Sequence, residues 1–210
     1  VTKHAAGERL GRHRHVHPYA ALVLQGGYLE AGDCGRFTVE AGHVILHGPF
    51  ESHQDVFTIR GAVVLNLPVS CDAGALARIE DPDVIVRLAE RDRVAAGKSL
   101  LEGLVIQASR CADWPDQLCQ RIIRDPDVDL GEWARQFGLT PQSLSRGFRK
   151  AYGMTPKRFR AEQRALRALR ALPNWQGSCA SLAVELGFAD QAHMIKAIRS
   201  IAGRPPKGFR

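Results

Sequence analysis

No uninterrupted apolar run in this 210-residue chain approaches the ~18 residues that a membrane-spanning helix needs. The opening Val1-Thr2-Lys3-His4 contains no apolar stretch of the kind found in a secretory leader. Cysteine is sparse and unpatterned. Cys34, Cys71, Cys111, Cys119 and Cys179 are odd in number and form no Cys-x-x-Cys, which argues against a disulfide framework. Reduced thiols in a cytoplasmic setting, mostly buried as small apolar groups, are the expectation. Neither apolar nor charged residues are lacking. At 45% hydrophobic and 24% charged, the composition is that of a globular protein, not a disordered or collagen-like one.

Acidic residues are scarce in one place only. Residues 1–72 hold 6 Lys/Arg against 7 Asp/Glu, residues 73–128 hold 8 against 10, and residues 129–210 hold 15 against 5. The last segment therefore carries +10, more than the whole chain's net +7. Such asymmetry points to a polyanionic partner for that segment. Histidine splits the other way, with seven of the eight in residues 1–53. Two segments with two separate tasks follow.

The front reads as short strands: Tyr19–Leu24 ended by Gly26-Gly27, Arg36–Val39, Val44–Leu46, Val56–Ile59, and Ala62–Leu67 ended by Pro68. Short strands punctuated by Gly and Pro predict a small β-sandwich or barrel. The period changes to a helical one from Asp81-Pro82. Val84, Leu88 and Ala95 suit one apolar face, with Gly97 as its stop. Leu100, Leu101, Leu104, Val105 and Ala108 suit a second helix, and Leu118 and Ile122 mark a third. The middle helices either pack on their neighbours or form a dimerisation hairpin. The expected plan is α+β, with a sensor region over 1–70, a helical linker over 71–112 and an all-α domain over 113–210.

The last segment repeats itself. Asp129-Leu130-Gly131-Glu132-Trp133-Ala134-Arg135-Gln136-Phe137-Gly138 lies 49 residues before Ser178–Gly187. Beyond the glycine the offset is 50, with Leu144, Arg146, Phe148 and Gly153 matching Met194, Lys196, Ile198 and Gly203. Asp129 and Glu132 have capping-box spacing. Leu130, Trp133, Ala134 and Phe137 form one apolar helical stripe. Thr140-Pro141 then starts a second helix, a Thr cap followed by Pro at the first turn. Leu144 and Phe148 face inward, leaving Gln142, Ser145, Arg146 and Arg149 outward. In the second unit Met194 and Ile198 face in and Gln191, Ala192, Ile195 and Lys196 face out. Each unit is a helix-turn-helix whose second helix can enter a DNA major groove. A helix from Thr155-Pro156 to about Leu172 would join them.

Ala134-x3-Gly138, Leu144-x-Arg146-x-Phe148-Arg149, Gly153-x-Thr155-Pro156, Leu182-Ala183-x3-Gly187-Phe188-x-Asp190, His193-Met194-x-Lys196 and Gly203-x-Pro205-Pro206 together resemble the AraC-type regulators. The resemblance covers about residues 115–210 and implies a seven-helix, double helix-turn-helix domain bound to double-stranded promoter DNA. Lys196 stands where Arg is usual in that family. Candidate contacts are Gln142, Ser145, Arg146, Arg149, Lys150, Gln191, Ala192, Ile195 and Lys196. Arg146 can pair guanine and Gln142 or Gln191 adenine, or Arg146 can contact phosphate without reading sequence. Arg149, Lys150 and Arg199 suit phosphate or structural roles. A homodimer is one option, and RNA polymerase is a further partner if the regulator activates. A membrane is not.

His13-Arg14-His15-Val16-His17 sets three imidazoles at period two, on one face if the segment is a strand. His43, His47 and His53 follow. His13, His15, His17 and His53 are the candidate ligands for a divalent transition metal: Zn, Ni, Cu or Fe. The paired histidines with Ala21–Gly26, and Gly42-His43-Val44-Ile45-Leu46-x2-Pro49-x3-His53, resemble the two cupin motifs. The resemblance covers roughly residues 11–68 and implies a small cupin-like β-barrel. The Glu expected soon after the paired histidines is absent, with Tyr19 or Ala20 near its place. A bound metal, a metal-free small-molecule pocket, and merely structural histidines all stay open. The leading expectation is a non-enzymatic transcription regulator controlled by a small effector or metal. The alternative is a metal-dependent cupin enzyme with a DNA-binding appendage.

Overall fold

The structure, a computed structural model, describes residues 1–107 and 113–209. The expectations for Ala108 and Cys111, and for a boundary between 112 and 113, fall outside these residues. Two compact units divide the chain, Val1–Cys111 and Ala112–Arg210.

The first unit is built on one antiparallel sheet: β1 Thr2–His4, β2 Arg9–Arg14, β3 Tyr19–Gly32, β4 Gly35–Glu40, β5 His43–His47, β6 Ser52–Pro68, β7 Ala75–Arg78 and β8 Val105–Ile106. The order is β1-β6-β3-β5-β7-β8, with β2 also on β6 and β4 also on β3. Among the described residues no pairing joins β1 or β2 to β4 or β8, so the cupin-like unit is an open sheet, not a closed barrel.

Two strands are longer than their sequences suggest. Gly26-Gly27 and Gly61 do not end strands but let β3 and β6 continue through shifts of register. Gly26 (φ 69°) and Gly61 (φ 64°) adopt left-handed backbone, and a Cβ on Gly26 would sit 2.0 Å from the Gly61 carbonyl oxygen. Only residues without a side chain allow this close crossing. Strand alternation then sorts the core. Ala20, Leu22, Val44, Leu46, Leu65 and Leu67 pack on one face, and Ala21, Val23, Tyr28, Ile45, Phe57 and Val64 on the other.

Residues 71–107 are not a linker standing apart from the sheet. β7 pairs with β5, and α1 (Pro82–Ala89) and α2 (Arg93–Glu102) place Ile85, Ala96 and Leu100 in the core of the first face. That packing uses one face of each helix, while Val84 on α1 and Val94 on α2 stay 45% and 56% exposed. Gly97 is not a helix stop. It lies inside α2, where a Cβ would approach the Pro68 carbonyl oxygen to 2.1 Å. The second helix begins earlier than its leucines indicate because Asp92 caps Val94 and Ala95 at 2.9 Å, and Val105–Ile106 is a strand. Of the cysteines described, only Cys119 is buried, while Cys34, Cys71 and Cys179 are half-buried.

The second unit contains six α-helices among the described residues: α3 Trp114–Arg124, α4 Leu130–Gln136, α5 Pro141–Tyr152, α6 Pro156–Ala171, α7 Cys179–Glu185 and α8 Gln191–Ala202. Short 3-10 turns at Leu172–Asn174 and Pro206–Phe209 follow α6 and α8. Asp129, Thr140, Thr155, Ser178 and Asp190 cap the starts of α4 to α8. Phe148, Tyr152 and Phe159 are fully buried in the middle, with Tyr152 donating to Asp116 Oδ1 at 2.8 Å.

Candidate functional site

The sequence repeat is a structural repeat. Gly138 and Gly187 both adopt left-handed backbone after α4 and α7 (φ 63° and 69°). The residues after them, Leu139 and Phe188, donate to Ala134 O and Ala183 O, each at 2.9 Å. This is the same helix-ending motif used twice. Ala189 is the extra residue in the second turn. Gly153 and Gly203 end α5 and α8 alike (φ 73° and 71°).

On α5, Leu144 and Phe148 are buried, whereas Gln142, Arg146, Arg149 and Lys150 are exposed and Ser145 is half-buried. Pro141, Gln142, Ser145, Arg146, Arg149 and Lys150 line one shallow concavity. On α8, Met194 and Ile198 are buried, Gln191, Ala192 and Lys196 are exposed, and Ile195, equivalent to Ser145, is half-buried. Phe137, expected in the inward stripe of α4, is 41% exposed and stacks on buried Trp133 with ring centroids 4.0 Å apart.

Part of the positive charge serves the architecture instead, which net charge alone could not reveal. Arg160 donates to Val128 O at 3.1 Å, Arg164 to Pro126 O and the Asp127 carboxylate, and Arg167 to Ile123 O and Arg124 O. These three α6 arginines thus satisfy carbonyls at the end of α3 and in the loop after it. Arg158 pairs with Glu162 on the same helix at 3.0 Å. Arg146, Arg149, Lys150, Lys196 and Arg199 make no ion pair among the described residues and stay exposed.

The first unit gathers its histidines on the sheet face that carries Ala21, Val23 and Ile45. Register opposes Gly32 to His53, Glu30 to Asp55 and Tyr28 to Phe57, and alternation turns all of these toward one side. β2 sets His13 opposite His53, and β5 sets His47 opposite Tyr19. The ring centroids of His13 and His47 lie 4.3 and 4.4 Å from that of His53, and His15 lies 4.9 Å from His13. A cavity of about 160 Å³ is lined by these imidazoles with Tyr19, Tyr28, Asp55, Phe57 and Asn66.

His17 does not join them. β2 ends at Arg14, the alternation ends with it, and His17 lies on an exposed bend. Sequence reading also missed Glu30, which is fully buried while its neighbour Leu29 is 40% exposed. A carboxylate turned inward beside an outward leucine was the available signal, hidden by reading Gly26-Gly27 as a strand end. Tyr19, near the place of the missing motif glutamate, sets its hydroxyl 3.0 Å from His53 Nε2.

Burial raises the Glu30 carboxyl well above the usual carboxylate range. Burial depresses His47 far below the ordinary imidazole value, helped by the His53, His15 and His13 imidazoles, and depresses His15 likewise. Burial acts the same way on His53, but Glu30 and the hydrogen-bonded Asp55 outweigh it and raise that imidazole. His13, His15 and His53 form one set able to hold a metal ion, and Glu30, His47 and His53 form another, all three buried.

Two helix-turn-helix modules built to one plan and joined by a common helix define a double helix-turn-helix domain. Residues 133–210 match a family described as a helix-turn-helix domain. The virulence regulon transcriptional activator VirF of Yersinia enterocolitica is 31% identical over 99 residues, 46% of this chain and 36% of that protein. The arabinose operon regulatory protein of Escherichia coli K12 is 28% identical over 97 residues, 45% and 33% of the two chains. The C-terminal unit matches a helix-turn-helix domain family and is similar in sequence to these regulators. The chain spans about a third of the length of the curated relatives it matches. A crystal structure of unsaturated-fatty-acid-bound ToxT from Vibrio cholerae aligns over 99% of this chain and 92% of that one, at TM-score 0.46 and 10% identity. No helix among the described residues is long and apolar enough to cross a membrane.

Proposed function

We propose that this chain is a sequence-specific DNA-binding transcription regulator, acting in the cytoplasm, whose N-terminal pocket receives an effector, either a small molecule or a metal ion. The observation that carries the reading is the twin arrangement of α5 and α8. Each buries one face and turns a short polar and cationic face outward, while the α6 arginines are tied to backbone carbonyls. A helix with that polarity suits a major groove, where Arg146 and Gln142 on α5 and Lys196 and Gln191 on α8 have the donors that purine edges accept. The relatives, one named a transcriptional activator and one an operon regulatory protein, support the same role.

Selection of duplexes from a random-sequence pool with the full chain tests it. The expected result is a recovered consensus that shifts in a gel at nanomolar protein and loses affinity when scrambled. Recovery of no consensus, with equal affinity for scrambled duplex, would overturn sequence-specific regulation. A second copy of the chain and RNA polymerase are the further partners this role calls for. Sedimentation with and without the selected duplex reads the first.

A further inference from the structure

We infer that Glu30, His47 and His53 form a binding site for one divalent first-row transition-metal ion, seated beneath the paired histidines His13 and His15 instead of upon them. The three side chains come from β3, β5 and β6, so neighbouring strands of one sheet fix their spacing.

Burial, unsatisfied polar atoms and spacing converge. Glu30 is 0% exposed, His47 3% and His53 5%. Both carboxylate oxygens of Glu30, and Nε2 of His47, are buried with no hydrogen-bond partner among the described residues. A carboxylate held out of water without donors is costly unless something else satisfies it. The distances suit a cation. His47 Nε2 and His53 Nδ1 each lie 3.6 Å from Glu30 Oε2. That is too long for a hydrogen bond. Ligands bound at 2.0–2.1 Å in a tetrahedral arrangement stand about 3.4 Å apart, so an ion needs only a few tenths of an ångström of contraction.

An outer partner for His53 is also in place. With Nδ1 of His53 on the ion, its Nε2–H donates to the Tyr19 hydroxyl, 3.0 Å away. The same Nδ1 lies 3.1 Å from Asp55 Oδ1, a hydrogen bond that the ion would replace. The neighbouring cavity of about 160 Å³, lined by His47 and His53 but not by Glu30, falls below the roughly 300–1,000 Å³ of pockets that enclose organic ligands. Imidazole and carboxylate together suit zinc, cobalt, nickel or iron(II).

The ion's regulatory meaning rests on the transcription-regulator reading; its binding does not. The test titrates the full chain, stripped with chelator, with Zn²⁺ by calorimetry and with Co²⁺ by visible absorption. One ion per chain is expected, with the Co²⁺ ligand-field bands of a low-coordinate N/O site. Glu30→Gln and His47→Gln should each lose the ion, while the double variant His13→Gln/His15→Gln should keep it. Metal-free melting of every variant shows whether loss of the ion reflects loss of fold. If either buried variant does not fold, Tyr19→Phe, which removes only the outer partner of His53, should still fold and weaken Zn²⁺ affinity by roughly 10–100-fold. No ion on the wild-type chain, or an ion kept by Glu30→Gln and lost by the double variant, overturns the site. DNA affinity with and without Zn²⁺ is measured separately. A change supports the ion as effector, and an unchanged affinity overturns that role alone. Failure to bind any duplex would end the regulator reading and leave the titration result standing.

Discussion

On the proposed role, the five exposed cations on α5 and α8 should set the salt dependence of DNA binding. Arg146, Arg149, Lys150, Lys196 and Arg199 are the candidates, since Arg160, Arg164 and Arg167 are engaged with backbone carbonyls. Each phosphate neutralised releases counterions and contributes a slope near −0.9 to log K against log salt. If all five meet phosphate, the slope is about −4.5, and affinity falls about 500-fold between roughly 50 and 200 mM salt. If Arg146 and Lys196 lie on base edges instead, three phosphate contacts remain. The slope is then about −2.7 and the loss about 40-fold.

Fluorescence anisotropy of a labelled selected duplex at four salt concentrations separates the two cases. Arg149→Ala should lower the slope by about 1 on specific and random DNA alike. Arg146→Ala should cost about 1–3 kcal/mol on the selected duplex and relax preference at one base pair. A slope shallower than about −1, or one that Arg149→Ala and Lys150→Ala leave unchanged, would refute the assignment of these faces to DNA.

Three further outcomes test the architecture. Phe148→Ala should destabilise the second unit by about 3–5 kcal/mol, because the fully buried ring stacks 4.6 Å from Tyr152 and meets Phe159 edge-on; urea unfolding of the chain reads this against a near-neutral Arg149→Ala. Gly7→Ala should cost only the left-handed backbone penalty of about 1–2 kcal/mol, since nothing lies within 4 Å of its Cβ position. Gly26→Ala, with the same φ but a carbonyl oxygen 2.0 Å away, should cost visibly more in the same unfolding assay. Asp129 accepts the N–H groups of Glu132 and Gly131, which hold its carboxyl below the usual range. Its folded value lies below its unfolded one, so this contribution is complete above about pH 4 and disappears as pH falls through the folded value. Melting curves from pH 7 to pH 3 should therefore show a shallower acid loss in Asp129→Asn than in the wild type.

The repeat in the last segment was legible because helix ends leave local marks. Gly138 and Gly187 sit at equivalent left-handed positions, and the capping residues precede each helix in order. The sheet was legible only in pieces. Glycine in a strand reads as an end, but Gly26 and Gly61 serve a crossing of two long strands, a contact between residues 35 apart that no local pattern records. Gly97 misleads for the same reason, since the group it accommodates is the Pro68 carbonyl on another element. The site inherits these errors. Glu30 lies past the glycine pair, so its inward direction depends on a strand that seemed to have stopped. His17 was drawn in by a period that the chain abandons three residues earlier.

Net charge is a weak guide to a ligand surface unless each cation is followed to its partner. The +10 of the last segment overstates what can face a polyanion, because three of its arginines serve as donors to carbonyls at the end of α3 and in the loop after it. The buried sheet face shows the opposite case. There the informative groups are Glu30 and His47, whose buried polar atoms lack hydrogen-bond partners among the described residues. A cation tied to backbone is withdrawn from function, and a buried acceptor left without a donor is held ready for a ligand. Neither composition nor periodicity shows where each polar atom's partner is.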